Sequence, residues 1–270
     1  GLGVSCQGIH VPNGATINAA GNVSMSGTSY TSGSSGRGIN LYGVGVTAGG
    51  SITMTGQHAP ANASYAVSLD VYGSTQTTLS AGTGITLESL NNSVGTIWLG
   101  GTTSLSGGSG DIVLTAARLY TSTSMHNITT TGKVTLQPDA DETSFGDAIT
   151  TQYLDFINAT GLTIGKSGNS ADVTMARNES IAGPIKLYGG NIKLGGDLIS
   201  TATTGTGIAL YAQTNINSNA SGLTTQTSGS DILFAANLST SGGSIGLDRM
   251  SVLSNGGNIT MGGGVNGTDY

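Results

Sequence analysis

Apolar residues recur along this chain in very short alternating runs, separated mostly by Gly, Ser, Thr and Asn. The clearest case is the stretch 185–196, IKLYGGNIKLGG, where Ile-Lys-Leu occurs twice, seven residues apart, and each copy leads into a Gly-Gly pair. Alternation of period two places Ile185 and Leu187, then Ile192 and Leu194, on one buried face, with a lysine between them. The glycine pairs supply the positive φ values that a sharp corner needs. The unit is a short strand, a corner and another short strand. Its seven-residue step moves around one turn of a coil, so Lys186 and Lys193 are expected on different faces and not as a basic pair.

The same unit returns as GNVSM (21–25), GINLYGVGV (38–46), GGSITM (49–54), GTGITL (82–87), GDIVL (110–114), GKVTL (132–136), DVTM (172–175), GIALYA (207–212), DILFAA (231–236) and GGNITM (256–261). Units this short cannot bury a face alone and need stacking to form a continuous core. No window sustains the helical i, i+3, i+4, i+7 pattern, and glycine interrupts nearly every candidate. Residues 137–160 depart most from the repeat and are expected as a loop excursion, with Tyr153, Leu154, Phe156 and Ile157 packed on the main body. No linker divides the chain, so 1–270 is expected as a single continuous repeat domain.

Three architectures use such strands. A sandwich favours strands of about 5–6 residues and Asn-Gly hairpins, and a propeller needs a fixed blade period. Neither fits. A right-handed parallel β-helix tolerates irregular spacing because each turn can extrude a loop. At roughly 20–25 residues per turn this all-β fold would have about 12 rungs, stacked ~4.8 Å apart.

Composition narrows the functional classes. The 46 glycines and 8% charged residues lie far from the averages of about 7% and 25%, yet the 36% apolar content and alternation point to an ordered chain. A net charge of −6 without a basic stripe argues against nucleic acid. No apolar run reaches the length of a transmembrane helix. The single cysteine, Cys6, makes an internal disulfide impossible and a redox site improbable. The Gly-Leu-Gly start, lacking an initiator Met and a signal peptide, suggests a processed piece or a segment of a longer chain.

The runs AAGNVSMSG (19–27), GGSITM (49–54) and GGNITMGG (256–263) resemble the degenerate repeats of filamentous-haemagglutinin-like bacterial exoproteins. The run GLTIGKSGNSADVTMARNESIAGPIKLYGGNIKLGGDLIST (161–201) is similar to a unit that recurs in giant secreted adhesins of that kind. The resemblance implies a right-handed β-helical shaft, export across the outer membrane to an extracellular or cell-surface location, and a role in adhesion or biofilm. The expected function is a structural and adhesive shaft without enzyme activity or cofactor. Expected partners are carbohydrate, a host or neighbouring cell surface, or further copies joined end to end or laterally. The alternative is a polysaccharide-processing β-helix enzyme or a carbohydrate-binding module, which would need clustered carboxylates on one face.

Candidate chemistry is sparse. Asp139, Asp141, Glu142 and Asp147 form an acidic cluster whose oxygen ligands suit calcium, although the spacing matches neither an EF-hand nor a calcium-binding β-roll. Most other aspartates, among them Asp111, Asp172 and Asp231, open strands at corners. His10, His58 and His126 lack metal-ligand spacing and are expected on surfaces or loops. Ten Asn-x-Ser/Thr sequons, at Asn22, Asn62, Asn91, Asn127, Asn158, Asn178, Asn219, Asn237, Asn258 and Asn266, are about twice the chance number and are glycosylation candidates. Part of the excess is built into the repeat, since GNVSM and GNITM contain the motif.

Overall fold

A computed structural model of the chain describes residues 7–29, 36–58, 66–70, 76–90, 95–139, 141–239 and 242–263. Strands of two to seven residues and their corners make up the described residues, with no helix among them. All pairing is parallel and joins each strand to the third one after it, so three strands make one turn. That connectivity defines a parallel β-solenoid.

The described residues fall into two compact units: Gly1–Gly146 with Tyr153–Ile157, and Asp147–Gln152 with Asn158–Tyr270. In the first unit, one sheet stacks Gln7–Val11, Arg37–Tyr42, Val67–Asp70, Thr96–Leu99 and Arg118–Thr121. The next stacks Thr16–Ala19, Gly45–Ala48, Thr77–Ala81, Thr103–Ser106, His126–Thr129 and Leu154–Ile157. The third stacks Val23–Ser29, Ile52–His58, Ile85–Ser89, Ile112–Thr115 and Val134–Gln137.

The second unit repeats the plan with Ile149–Thr150, Val173–Met175, Ile192–Leu194, Ile216–Ser218 and Ile245–Gly246 in one sheet. Glu179–Ile181, Leu198–Ser200, Thr224–Thr227 and Ser251–Leu253 form another, and Leu162–Ile164, Ile185–Gly189, Thr206–Ala212, Asp231–Ala236 and Ile259–Gly263 the third.

The core follows from in-register stacking of the period-two pattern. In the first unit Ile52, Ile85 and Ile112 align in one inward column and Met54, Leu87 and Leu114 in the next. In the second, Ile185, Ile208 and Ile232 align beside Leu187, Leu210 and Phe234. All of these are buried, and each is worth roughly 1.5–3 kcal/mol of apolar burial. The two halves of 185–196 belong to different sheets, so the seven-residue step does run around the coil. Lys186 faces solvent, and Lys193 pairs with Asp172 at 2.7 Å.

The described residues make about eight turns and not the twelve expected. Turn length varies more than assumed and reaches 33 residues, from Ile52 to its partner Ile85, while Ile112 and Val134 are 22 apart. In the second unit the spacing runs from 19 residues (Val173 to Ile192) to 29 (Ile216 to Ile245). The segment 137–160 contributes strands Ile149–Thr150 and Leu154–Ile157. Phe145, Leu154 and Phe156 are buried, while Tyr153 and Ile157 are half-buried.

Corners bring backbone against backbone. A Cβ on Gly110 would fall inside the van der Waals radius of the Thr83 carbonyl, and one on Gly132 would overlap the Gly110 carbonyl. Only glycine allows turns to stack this closely there.

Candidate functional site

Three features emerge from the residues upward: polar side chains that tie turn to turn, an outward face along the third sheet of each unit, and an open apolar end.

The ties begin with the strand-opening residues. In the second unit Asp172 Oδ1 accepts the Asn191 N–H at 2.9 Å and Asn191 Nδ2 at 2.8 Å. One turn on, Asn191 Oδ1 accepts from Asn215 Nδ2 at 2.9 Å, and Asn215 Oδ1 accepts the Ser244 N–H at 2.9 Å. A second column runs from Asn178, which accepts the Asp197 N–H at 2.9 Å, to Asp197, which accepts the Thr224 N–H at 2.7 Å. These N–H groups sit at strand starts, where the ladder has not yet begun, so a side-chain acceptor one turn away satisfies them. Asp111 and Asp231 do the same for the Lys133 and Asn258 N–H groups, each at 2.7 Å. Burial alone would raise the Asp172 carboxyl; hydrogen bonds from Lys193 and Asn191 and the lysine charge outweigh it and hold the group below its ordinary range.

The first unit also carries polar ties inside. Thr77, Thr103 and His126 are all buried. Thr77 Oγ1 accepts the Gly43 N–H at 3.0 Å, Thr103 Oγ1 donates to the Gly100 carbonyl at 3.0 Å, and His126 Nδ1 accepts the Thr103 N–H at 3.3 Å. His126 is therefore not on a surface or loop, as expected, but 1% exposed at a strand start. The reason is local: the Thr103 N–H needs an acceptor in a dry corner. Burial lowers its pKa to about 4, against a smaller opposing effect of a hydrogen bond at Ser122. His10 is exposed, with Nδ1 3.1 Å from Asn40 Nδ2; the side chain of His58 and all of Cys6 lie outside the described residues.

The outward face differs between the units. In the first it carries Ser24, Thr53, Thr86, Val113 and Thr135 in one register column, and Ser26, Thr55, Glu88, Thr115 and Gln137 in another. In the second, Tyr188 and Tyr211 stack with centroids 4.9 Å apart and planes 11° apart. Burial, and then the neighbouring Tyr211, raise the Tyr188 phenol.

The acidic cluster is not gathered into one site. Asp139 is buried, Asp141 exposed and Glu142 half-buried with its N–H on the Asp139 carbonyl at 3.1 Å, while Asp147 belongs to the other unit. Among the described residues no group of three or more His, Cys, Asp or Glu is placed to hold a metal ion. Of the sequons, Asn22, Asn158, Asn178, Asn219 and Asn258 are exposed, and Asn127 and Asn237 half-buried. Asn158 and Asn237 have positive φ. Asn62, Asn91 and Asn266 lie outside the described residues.

The last described turn leaves the inward columns uncovered. Ile259 is 44% exposed and Met261 42%, although their register partners Ile232 and Phe234 are fully buried. An open cleft of about 230 Å³ at this end is lined by Ala236, Asn237, Ser244, Ile245 and Met261. Sequence reading found the strand-opening aspartates but missed their acceptor role, the buried His126 column and the uncovered end. Only the repetition of Asp or Asn before an apolar pair hinted at the first.

No protein-family model matches the chain, and no curated protein or solved structure matches it either. No described helix is long and apolar enough to cross a membrane. The class that fold and geometry define is a parallel β-solenoid of about eight turns with polar ladders between turns.

Proposed function

We propose that this chain is a structural and adhesive segment of an extracellular bacterial surface filament, of the filamentous-haemagglutinin-like kind, and has no catalytic role. The supporting observation is the outward column Ser24, Thr53, Thr86 and Thr135, interrupted by Val113, on the third sheet of the first unit. Hydroxyls repeated at the inter-strand spacing of ~4.8 Å offer many weak hydrogen bonds to a polysaccharide or a cell-surface glycan. Low charge density fits such a partner better than a charged polymer. The winding is right-handed in this reading, as parallel crossovers are in ≈ 98% of cases.

The test is retention on immobilised polysaccharides. Replacing Thr53, Thr86 and Thr135 together by Glu adds three charges to one column, and retention is expected to fall by about tenfold or more, since each tenfold corresponds to about 1.4 kcal/mol. Equal retention of both proteins, or none by the unmodified chain on any glycan surface, would remove the adhesive reading.

A further inference from the structure

The outward face of the second sheet in the first unit is a two-dimensional grid of short polar side chains. Register pairing aligns Thr16, Gly45, Thr78, Ser104 and Asn127 in one column, and Asn18, Thr47, Ser80, Ser106 and Thr129 in the other. We propose that this face binds ice, a partner that presents a flat and neutral lattice of oxygen atoms. The inference goes beyond the adhesive reading and does not rest on it, since the hydroxyls argued for polysaccharide lie on the third sheet.

Three observations carry it. The first is spacing in two directions. Neighbouring strands lie ~4.8 Å apart, and alternate residues of one strand about 6.6 Å apart. These intervals approach the two repeats of the oxygen lattice on a prism face of ice, so water held in both columns is already placed as the solid requires. The buried Val46, Leu79, Leu105 and Ile128 run between the columns in the same register and hold the backbone beneath them. Gly45 shows how closely one column lines up: a Cβ there would stand 3.6 Å from Thr78 Oγ1 and 3.9 Å from Thr16 Cγ2.

The second observation is charge. None of these positions is ionisable, and Asp155 enters only in the last strand of the sheet. A charged side chain would have to give up hydration against a neutral lattice, so a neutral face matches a neutral partner. The third is availability. Thr77, Thr103 and Thr130 use their hydroxyls within the chain. Among the described residues no side-chain hydrogen bond takes the hydroxyls of Thr47, Thr78, Ser80, Ser104, Ser106 or Thr129, and all six residues reach solvent. The third sheet differs. There Thr55 donates to Glu88 at 3.5 Å and Gln137 donates to Thr115 at 3.2 Å. Those longer side chains make its face uneven, which suits separate sugar hydroxyls better than a flat lattice. The threonines of the grid are also stiff at χ1, so little freedom is lost when water settles on them.

Ice affinity of the full chain tests this. The labelled protein is carried through a slowly advancing ice front, and its partition into ice is measured beside the gap between melting and freezing temperatures. Enrichment in ice and a measurable gap are expected. Ser106→Tyr and, independently, Ser80→Tyr raise a ring from the middle of the grid; each is expected to cut both readouts about tenfold while the melting temperature of the protein stays the same. Thr86→Tyr, on the third sheet, is expected to leave both readouts intact. Gly45→Thr fills the gap in the first column and is expected to widen the freezing gap. No enrichment of the unmodified chain overturns the proposal, as does equal enrichment of the folded Ser106→Tyr and Ser80→Tyr proteins. Loss of retention on crystalline cellulose or chitin in those two variants, with ice partition unchanged, assigns the face to polysaccharide and overturns it too.

Discussion

The two units solve one problem with the same devices, surface acceptors, buried polar corners and glycine seams, placed at different corners. Every strand start leaves backbone N–H groups outside the ladder, and a solenoid repeats that vacancy at each corner. The second unit answers at its surface, with an unbroken run Asp172–Asn191–Asn215–Ser244 in which each side chain serves the next turn. The first answers partly inside, with buried Thr77, Thr103 and His126, and at its corners with glycine backbone packed on glycine backbone. There Thr130 stitches the seam, its Oγ1 donating to the Gly108 carbonyl at 3.3 Å and accepting the Gly132 N–H at 2.9 Å. Surface ladders tolerate exchange of one amide for another. Buried columns and glycine seams do not, because neither space nor water is available to replace what is lost.

The strongest way to break that contrast is at the seam. Gly110→Ala sets a methyl group against the Thr83 carbonyl, which belongs to a neighbouring turn and has no side-chain freedom with which to move aside. A loss of about 4 kcal/mol is expected, at the high end of single substitutions, read as a drop in the denaturant midpoint. Gly205→Ala in the second unit meets no atom within 4 Å and carries only the strain of its φ of +65°, about 1–2 kcal/mol. Similar losses at the two sites would show that the seam is not what holds the first unit.

Acid separates the units next. The unfolded chain protonates His126 as pH falls through its ordinary 6.5, whereas the folded group, held by burial at about 4, stays neutral. Between those values the unfolded state binds more protons, so stability is whole above about pH 6.5, falls through the window and levels off below about 4. The full shift corresponds to about 3 kcal/mol. Asp172 behaves in the opposite sense within its own range: its carboxyl is lowered from 3.8, so its contribution is present above that value and is lost only as pH falls through the lower folded one. Hydrogen exchange between pH 6.5 and 4 should therefore show strands around Thr103–Ser106 and His126–Thr129 loosening while Val173–Met175 and Ile192–Leu194 stay protected. His126→Asn should flatten the response. Equal loosening of both regions, or an unchanged slope in the variant, would disprove the account.

The legibility of these features in the sequence follows their chemistry. Apolar alternation at Ile185/Leu187 and Ile192/Leu194 declared both the strands and the step around the coil, because period two and a glycine pair leave few alternatives. Turn number was not legible, since separations from 19 to 33 residues are set by what lies between strands and not by the strands themselves. His126 misled for another reason, and Thr77 and Thr103, which share its column, gave no signal at all. Each is polar and stands at a strand start, where a surface residue is expected, and only the register shows that they form an inward column. The aspartates at strand starts were recognised as corner residues, but their acceptor role joins residues 19 to 27 apart, which no local pattern reveals.

The finest comparison sets one ladder residue against another. Asp172 accepts three hydrogen bonds, from the Asn191 N–H, from Asn191 Nδ2 and from Lys193 Nζ at 2.7 Å. Asp111 accepts one, from the Lys133 N–H at 2.7 Å. Both side chains reach solvent, so water replaces part of what alanine removes, and the net value of each bond is about 0.5–1.5 kcal/mol. Asp172→Ala is expected to cost about 2 kcal/mol and Asp111→Ala about 1 kcal/mol. Asp172→Asn separates charge from ladder: it keeps an acceptor for the Asn191 N–H but loses the ion pair, whose partly exposed geometry is worth at most about 1 kcal/mol. If Asp172→Asn is as damaging as Asp172→Ala in denaturant titrations, the lysine pair and not the ladder fixes this corner. If it recovers at least half of the loss, the second unit is held by amide-to-amide succession, and the Lys193 charge is an addition to it.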